Sequence, residues 1–179
     1  MKFSIIDRMD PNSIIQRNEI RNKLIQKNWI YDEENPGLVI CVGGDGTFLR
    51  AIHQYLHILD HTMFVGIHTG TLGFLTDFTQ DEIDILIDLI TTTTPVIENR
   101  PMLEIEFPQN NQIYYALNEI RISCMEHTLN LNIYIDDEIF EKTSGSGICI
   151  STQVGSRALN RALKGAVVDS GLNVLPLCE

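Results

Sequence analysis

The feature that most narrows what this chain can become is Leu38-Val39-Ile40-Cys41-Val42 running without a break into Gly43-Gly44-Asp45-Gly46-Thr47. Five consecutive apolar residues have no polar face, so as a strand they need cover on both sides. That is the situation of a parallel strand flanked by helices. A helical pattern then runs from Thr47 to about Leu59. A turn at the carboxyl end of such a strand is where ligands bind in open α/β sheets. Glycines there let the backbone approach a phosphate closely, and the helix start presents free amides to anionic oxygens. Asp45 is out of place in a plain phosphate cradle, because a carboxylate repels phosphate. It suits a proton acceptor for an attacking hydroxyl, or a helper in holding a divalent cation. The bland alternative is a tight strand-to-helix turn with Asp45 as its cap.

The surrounding sequence supports an α/β first half. Lys2 to Ile6 reads as a short strand, and Asp10-Pro11 as a helix start, with the helix running to about Lys27. Met63 to Ile67 is a second apolar strand that enters a glycine-bearing loop over residues 68–73. Thr79 with Glu82 has capping-box spacing, and Ile83, Leu86, Ile87, Leu89 and Ile90 supply a helical core face. After Thr94-Pro95 the pattern changes to alternation. Leu103 to Phe107, Ile113 to Leu117 and Leu129 to Ile135 read as half-buried strands. Asp136-Asp137 makes a hairpin turn into Ile139-Phe140. Ile148 to Ser151 is a last clear strand before a helical stretch from about Ser156 to Lys164. The expectation is an α/β domain over residues 1–96, a parallel sheet with flanking helices. A mainly antiparallel, β-sandwich-like domain follows over residues 97–179, incomplete at its C-terminal end.

Charge and cysteine content exclude several classes. Thirteen Lys and Arg against 24 Asp and Glu give a net charge of -11 over 179 residues. A polyanion held by bulk electrostatics is therefore excluded, leaving no nucleic acid and no anionic membrane as partners. A small anion held by backbone amides is not excluded. The four cysteines form no CxxC pair, which fits reduced thiols in a cytoplasmic protein. No run of about 18 apolar residues is present to span a membrane. His53, His57 and His61 recur every four residues on the expected helix, yet no carboxylate or Cys nearby completes a metal set, so no protein metal site is expected. Cys41 reads as a small core residue.

Three separated segments, LVICVGGDGTFLRA, FVGIHTGTLGFLTDF and ALNE, together with ICISTQVGSRALNRALKGAVV, strongly resemble the NAD kinase family. GGDGT alone is shared with phosphofructokinase-like and diacylglycerol-kinase-like enzymes. The loop at residues 70–74 with Asn118-Glu119 is much more specific. The resemblance implies transfer of the γ-phosphoryl of ATP, or polyphosphate, to the 2'-hydroxyl of the adenosine ribose of NAD, with a divalent metal (Mg or Mn) and NADP as product. It implies a site between the two domains, and homo-oligomers. By position, Asp45 looks like the family's proton acceptor, flanked by Gly44, Gly46 and Thr47 at the phosphate turn. Phe74 is similar to the aromatic that lines the dinucleotide pocket. Asn118 and Glu119 match the pair that binds dinucleotide hydroxyls and amides.

Ser144, Ser146, Ser156, Arg157 and Ala158 occupy further dinucleotide-side positions of the family pattern. There the chain departs from it. Ser144 and Ser146 stand where Arg and Asp flank Gly145. Arg157 replaces a threonine, Leu159 the tyrosine that packs on the dinucleotide, and Lys164-Gly165 a double glycine. Family chains also continue well past this length, so the chain reads as C-terminally truncated. The alternative expectation is a non-catalytic nucleotide-binding fragment or paralogue of an NAD kinase.

Overall fold

The computed structural model describes residues 1–70 and 72–179. It divides into two units, Met1–Glu98 and Asn99–Glu179. The loop expected at residues 70–74 thus has one position, Thr71, outside the described residues.

The first unit alternates strands and helices: β1 (Lys2–Asp7), α1 (Pro11–Gln26), β2 (Ile30–Tyr31), β3 (Leu38–Val42), α2 (Asp45–Gln54), β4 (Met63–His68), β5 (Phe78–Thr79) and α3 (Ile83–Thr92). The strands form one parallel sheet in the order β2-β1-β3-β4-β5. Side chains alternate across a strand, and this sheet uses both faces. Phe3, Ile5, Leu38, Ile40, Val42 and Ile67 join Ile20 and Leu24 of α1 and Ile83, Leu86 and Ile87 of α3 in one core. The intervening positions Ser4, Val39 and Cys41 are buried too, as are Phe48, Ala51 and Ile52 of α2. The unbroken apolar run of β3 is thereby explained: all five of its residues are buried.

Local signals set the helix starts. Asp10 accepts from the amides of Asn12 and Ser13 at 3.1 Å each, ahead of Pro11. Thr79 N–H donates to the Glu82 carboxylate at 2.8 Å, completing the capping box read from the spacing. The α1 and α3 helices are further tied by ion pairs from Lys23 to Asp84 and from Lys27 to Asp88.

The helix expected over residues 47–59 is corrected in two ways. It begins at Asp45, because the Gly44 carbonyl already accepts from Thr47 and Phe48. It ends at Gln54, and Leu56–His61 follow as a tighter 3-10 stretch with Ile58 outside helical geometry. Tyr55 causes the break by burying its ring, with its hydroxyl donating to Ser4 Oγ (2.8 Å) or the Glu33 carbonyl (3.0 Å). His53, His57 and His61 accordingly share no helical face.

The second unit contains β6 (Leu103–Phe107), β7 (Gln112–Ala116), β8 (Glu119–Ser123), β9 (Leu129–Ile135), β10 (Glu138–Gly145), β11 (Gly147–Ser151), α4 (Leu159–Ala162) and β12 (Leu177–Cys178). They pair antiparallel as β6-β7, β9-β10 and β12-β11-β8. Asn118 follows β7 by two residues, ahead of a strand that the sequence reading does not place. Glu119 opens β8, whose Ile120 and Ile122 pair across to Ile150 and Ile148. The helix expected over residues 156–164 is reduced to a 3-10 turn, Gly155–Arg157, and the four-residue α4. Ala158, at φ -92° and ψ -122°, separates the two pieces. Among the described residues no helix is long and apolar enough to cross a membrane.

Candidate functional site

The carboxyl end of β3 turns through Gly43 and Gly44 into α2. Gly43 N–H donates to the Ile67 carbonyl at 2.9 Å, which fixes the turn to the end of β4. A side chain on Gly43 would run into Thr47, which is 7% exposed and closes the turn from inside. Gly44 and Gly46 have open space where a side chain would stand, so the turn's outer surface is bare backbone. Asp45 occupies the first helical position of α2 and is half-buried.

The Asp45 carboxylate is held by the loop that follows β4. Its Oδ1 accepts from the amides of Phe74 at 3.1 Å and Leu75 at 3.0 Å, and its Oδ2 from Phe74 at 2.9 Å. Two amide donors on one carboxylate, through three contacts, orient it firmly. Oδ2, which takes a single donor, retains capacity for a further one. Gly73 makes this possible: a β-carbon there would overlap the Asp45 carboxylate. Phe74 itself is exposed, at 48%, so its ring is available to a ligand. His68 closes the loop, its Nδ1 at 2.9 Å from the Gly70 carbonyl. Cys41, directly before the turn, is 1% exposed, and burial pushes its thiol far above the ordinary range. It is inert core.

In the second unit a separate knot of hydrogen bonds sets Asn118 and Glu119. Thr152 is 1% exposed; its hydroxyl donates to the Leu117 carbonyl at 2.6 Å and accepts from Gly155 N–H at 3.0 Å. Its own N–H donates to the Asn118 carbonyl at 2.8 Å. Gly155 presses so closely on the Asn118 backbone that no side chain fits at that position. The Glu119 side chain is half-buried, and burial raises its carboxyl above the usual range, offset in part by the Leu159 amide. Its Oε2 is buried without a hydrogen-bond partner. A buried acceptor with no donor calls for an explanation, and a ligand hydroxyl would provide one.

The remaining expected positions divide by accessibility. Ser156 is fully buried and its hydroxyl is engaged internally, donating to the Gln153 carbonyl at 2.6 Å and accepting from Val168 N–H at 3.1 Å. Ala158 is half-buried, while Arg157 and Ser144 are exposed. Ser144 lies opposite Asn130 on β10. Ser146 sits at the turn into β11, where its carbonyl accepts from Cys124 N–H at 3.1 Å. Thr152, Gly73 and the Leu75 amide went unread in sequence. Only the short side chains around Gly155 signalled that two backbones meet there. Among the described residues no three His, Cys, Asp or Glu side chains gather as a metal site.

Comparison with known proteins adds an independent line. The family profile described as ATP-NAD kinase N-terminal domain matches residues 12–94. An NAD kinase of Geobacillus stearothermophilus is 40% identical over 181 residues, covering 99% of this chain and 67% of that protein. NAD kinase 1 of Bacillus anthracis is 38% identical over 183 residues, covering 100% of this chain and 69% of its own length. The chain thus spans about two thirds of these curated relatives. Among solved structures, yeast NADH kinase complexed with NADH superposes with a TM-score of 0.81 at 19% identity, covering 99% of this chain and 66% of that one. An NAD kinase from Archaeoglobus fulgidus in complex with ATP gives 0.73 at 22% identity, with 99% and 71% covered. At those identities the likeness is one of fold.

Proposed function

The chain belongs to the NAD kinase family, and we propose that it phosphorylates NAD at the 2'-hydroxyl of the adenosine ribose, taking the γ-phosphoryl of ATP, or of polyphosphate, to make NADP. The observation that carries this reading is the Asp45 carboxylate, held by the Phe74 and Leu75 amides at the head of α2 beside a bare glycine turn. Phosphoryl transfer has a loose transition state, so the protein's contribution is positioning and charge neutralisation. Asp45 accepts the proton of the attacking ribose hydroxyl and aims that oxygen. The amides of Gly44 and Gly46 face the phosphate oxygens, with Thr47 closing the turn beneath them. Phe74 offers its exposed ring to the dinucleotide. Asn118 and Glu119 bind its hydroxyls and amides, with Glu119 Oε2 taking a donor that it lacks within the protein. Ser144, Ser146, Arg157 and Ala158 complete the dinucleotide side, and buried Ser156 shapes it from behind.

A divalent cation, Mg or Mn, fits this donor set as a companion of the triphosphate. Such ions are bound through one or two carboxylates plus substrate phosphates rather than by an all-protein cage. Asp45 is the carboxylate at the turn, and the bound ion would neutralise phosphate charge. The four free thiols support a reducing, cytoplasmic setting, and the family resemblance supports homo-oligomers.

The test is NADP formation from NAD, ATP and magnesium by the purified chain beside its Asp45→Asn variant. Turnover that vanishes in the variant is the expected result. Equal turnover by both would remove Asp45 from its role.

A further inference from the structure

Three neighbouring parallel strands end in one row. Asp7 of β1 pairs with Val42 of β3, and Val42 with Ile67 of β4. The next positions are therefore Arg8, Gly43 and His68, side by side at the carboxyl edge where ligands bind in such sheets. Arg8 N–H donates to the Val42 carbonyl at 2.9 Å, and a β-carbon on Gly43 would stand 3.2 Å from that of Arg8. The arginine stem is thus mounted directly on the glycine turn.

The segment that presents Arg8 is fixed from several sides. The Asp7 carboxylate, 5% exposed, accepts from Met9 N–H at 2.6 Å and from Arg17 Nη1 at 2.8 Å. The Asp7 carbonyl accepts from Arg50 of α2. Met9 is held at φ +71°, a region that side chains other than glycine rarely occupy. Strain of that kind persists only where the surroundings over-determine it, and it concentrates at ligand-handling segments.

Among the described residues the Arg8 side chain makes no hydrogen bond, only a long ion pair. Its side chain is 63% exposed, and its Nε lies 3.9 Å from the Asp10 carboxylate. Asp10 is already engaged in capping α1 through Asn12 and Ser13. An exposed arginine whose stem is mounted on a bare amide turn, in a chain of net charge -11, matches what a polyphosphate needs. Arg binds phosphate oxygens in a planar fork that neither Lys nor an amide reproduces.

We propose that Arg8 is a further substrate-binding residue, pairing with the phosphate oxygens of the nucleotide donor at the Gly43–Gly46 turn. This inference rests on the kinase reading above. The test is calorimetric titration of ATP with magnesium, and of inorganic tripolyphosphate, into the chain and its Arg8→Gln and Arg8→Lys variants. NAD affinity and thermal midpoint are recorded alongside. Arg8→Gln should weaken both polyanions by about tenfold or more, a charge-assisted bond's worth. Arg8→Lys should recover part of that loss, and the variants should leave the thermal midpoint and NAD affinity in place. Unchanged ATP affinity in Arg8→Gln would overturn the proposal while leaving Asp45 and the kinase reading intact. Wild-type chain that binds neither ATP nor tripolyphosphate would overturn both.

Discussion

The backbone N–H of Phe74 donates to both carboxylate oxygens of Asp45, at 3.1 and 2.9 Å, across 29 positions of sequence. One amide thereby ties the head of α2 to the loop after β4, and the orientation of the proposed proton acceptor depends on that loop.

Asp45→Asn should therefore do two things. An asparagine can keep the Oδ1 contacts with Phe74 and Leu75, but its amide nitrogen would face the Phe74 N–H where Oδ2 now accepts. NADP formation should fall by about 10²–10⁴-fold, the usual worth of a general base. The thermal midpoint should fall modestly, since the Phe74 N–H keeps Oδ1 but meets an amide NH2 where Oδ2 stood. Turnover assays and a melting curve on the same sample check both.

Gly73→Ala reaches the same carboxylate from the other side. The added methyl would overlap the Asp45 carboxylate, so the group must move. A misplacement of about 1 Å costs on the order of 10²-fold in rate. The parallel sheet core lies elsewhere, so far-UV circular dichroism should be unchanged while turnover collapses. Retained turnover would show that the carboxylate's position is not critical.

Glu119→Gln probes the second unit through pH. Burial holds the Glu119 carboxyl above its unfolded value, so the folded protein prefers the protonated form. The stability associated with that preference is complete below the ordinary glutamate range and is lost as pH rises through the raised folded value. Glutamine, always neutral, escapes the loss. The variant should match wild type in acid and melt higher at neutral pH, while binding NAD more weakly. A variant less stable than wild type at neutral pH would contradict this.

Lys164→Gly tests backbone strain. Lys164 sits at φ +65° just past Leu163, the C-cap of α4, in the left-handed region that a β-carbon disfavours. Relief of a left-handed side chain is worth about 1 kcal/mol. Denaturant titration should show the midpoint moving up with an unchanged slope.

The thiols should react in two classes. Cys41 and Cys149 are 1% and 0% exposed, whereas Cys124 and Cys178 are partly exposed. A disulfide reagent should label the latter two in the native chain and the former two only after unfolding. Rapid native labelling of all four would mean that the cores open readily.

The first unit was legible because its signals are local and continuous. The β3 run, the Asp10-Pro11 cap and the Thr79–Glu82 box each state their structure within a few residues. The two-residue edge strands β2 and β5 carry too little pattern to be read. Tyr55 ends α2 through partners at Ser4 and Glu33, which lie 51 and 22 positions away. No helical periodicity registers such a tertiary bond. In the second unit, the alternation of Ile120 and Ile122 was visible but masked by the polar pair before it. The cradle of Asp45 was hidden for a different reason: its donors are main-chain groups, and every residue but proline has one.

That last property makes the cradle unusually tolerant of sequence drift. The side chains at positions 74 and 75 can be exchanged widely without deleting a single donor to Asp45. Proline alone removes one outright. A lineage is thus free to retune the pocket surface at Phe74 for a different dinucleotide while the carboxylate stays aimed. Gly73 has no such freedom, because any side chain there claims the space that the carboxylate fills. The expected record of mutation is an invariant glycine followed by two changeable neighbours that accept anything except proline.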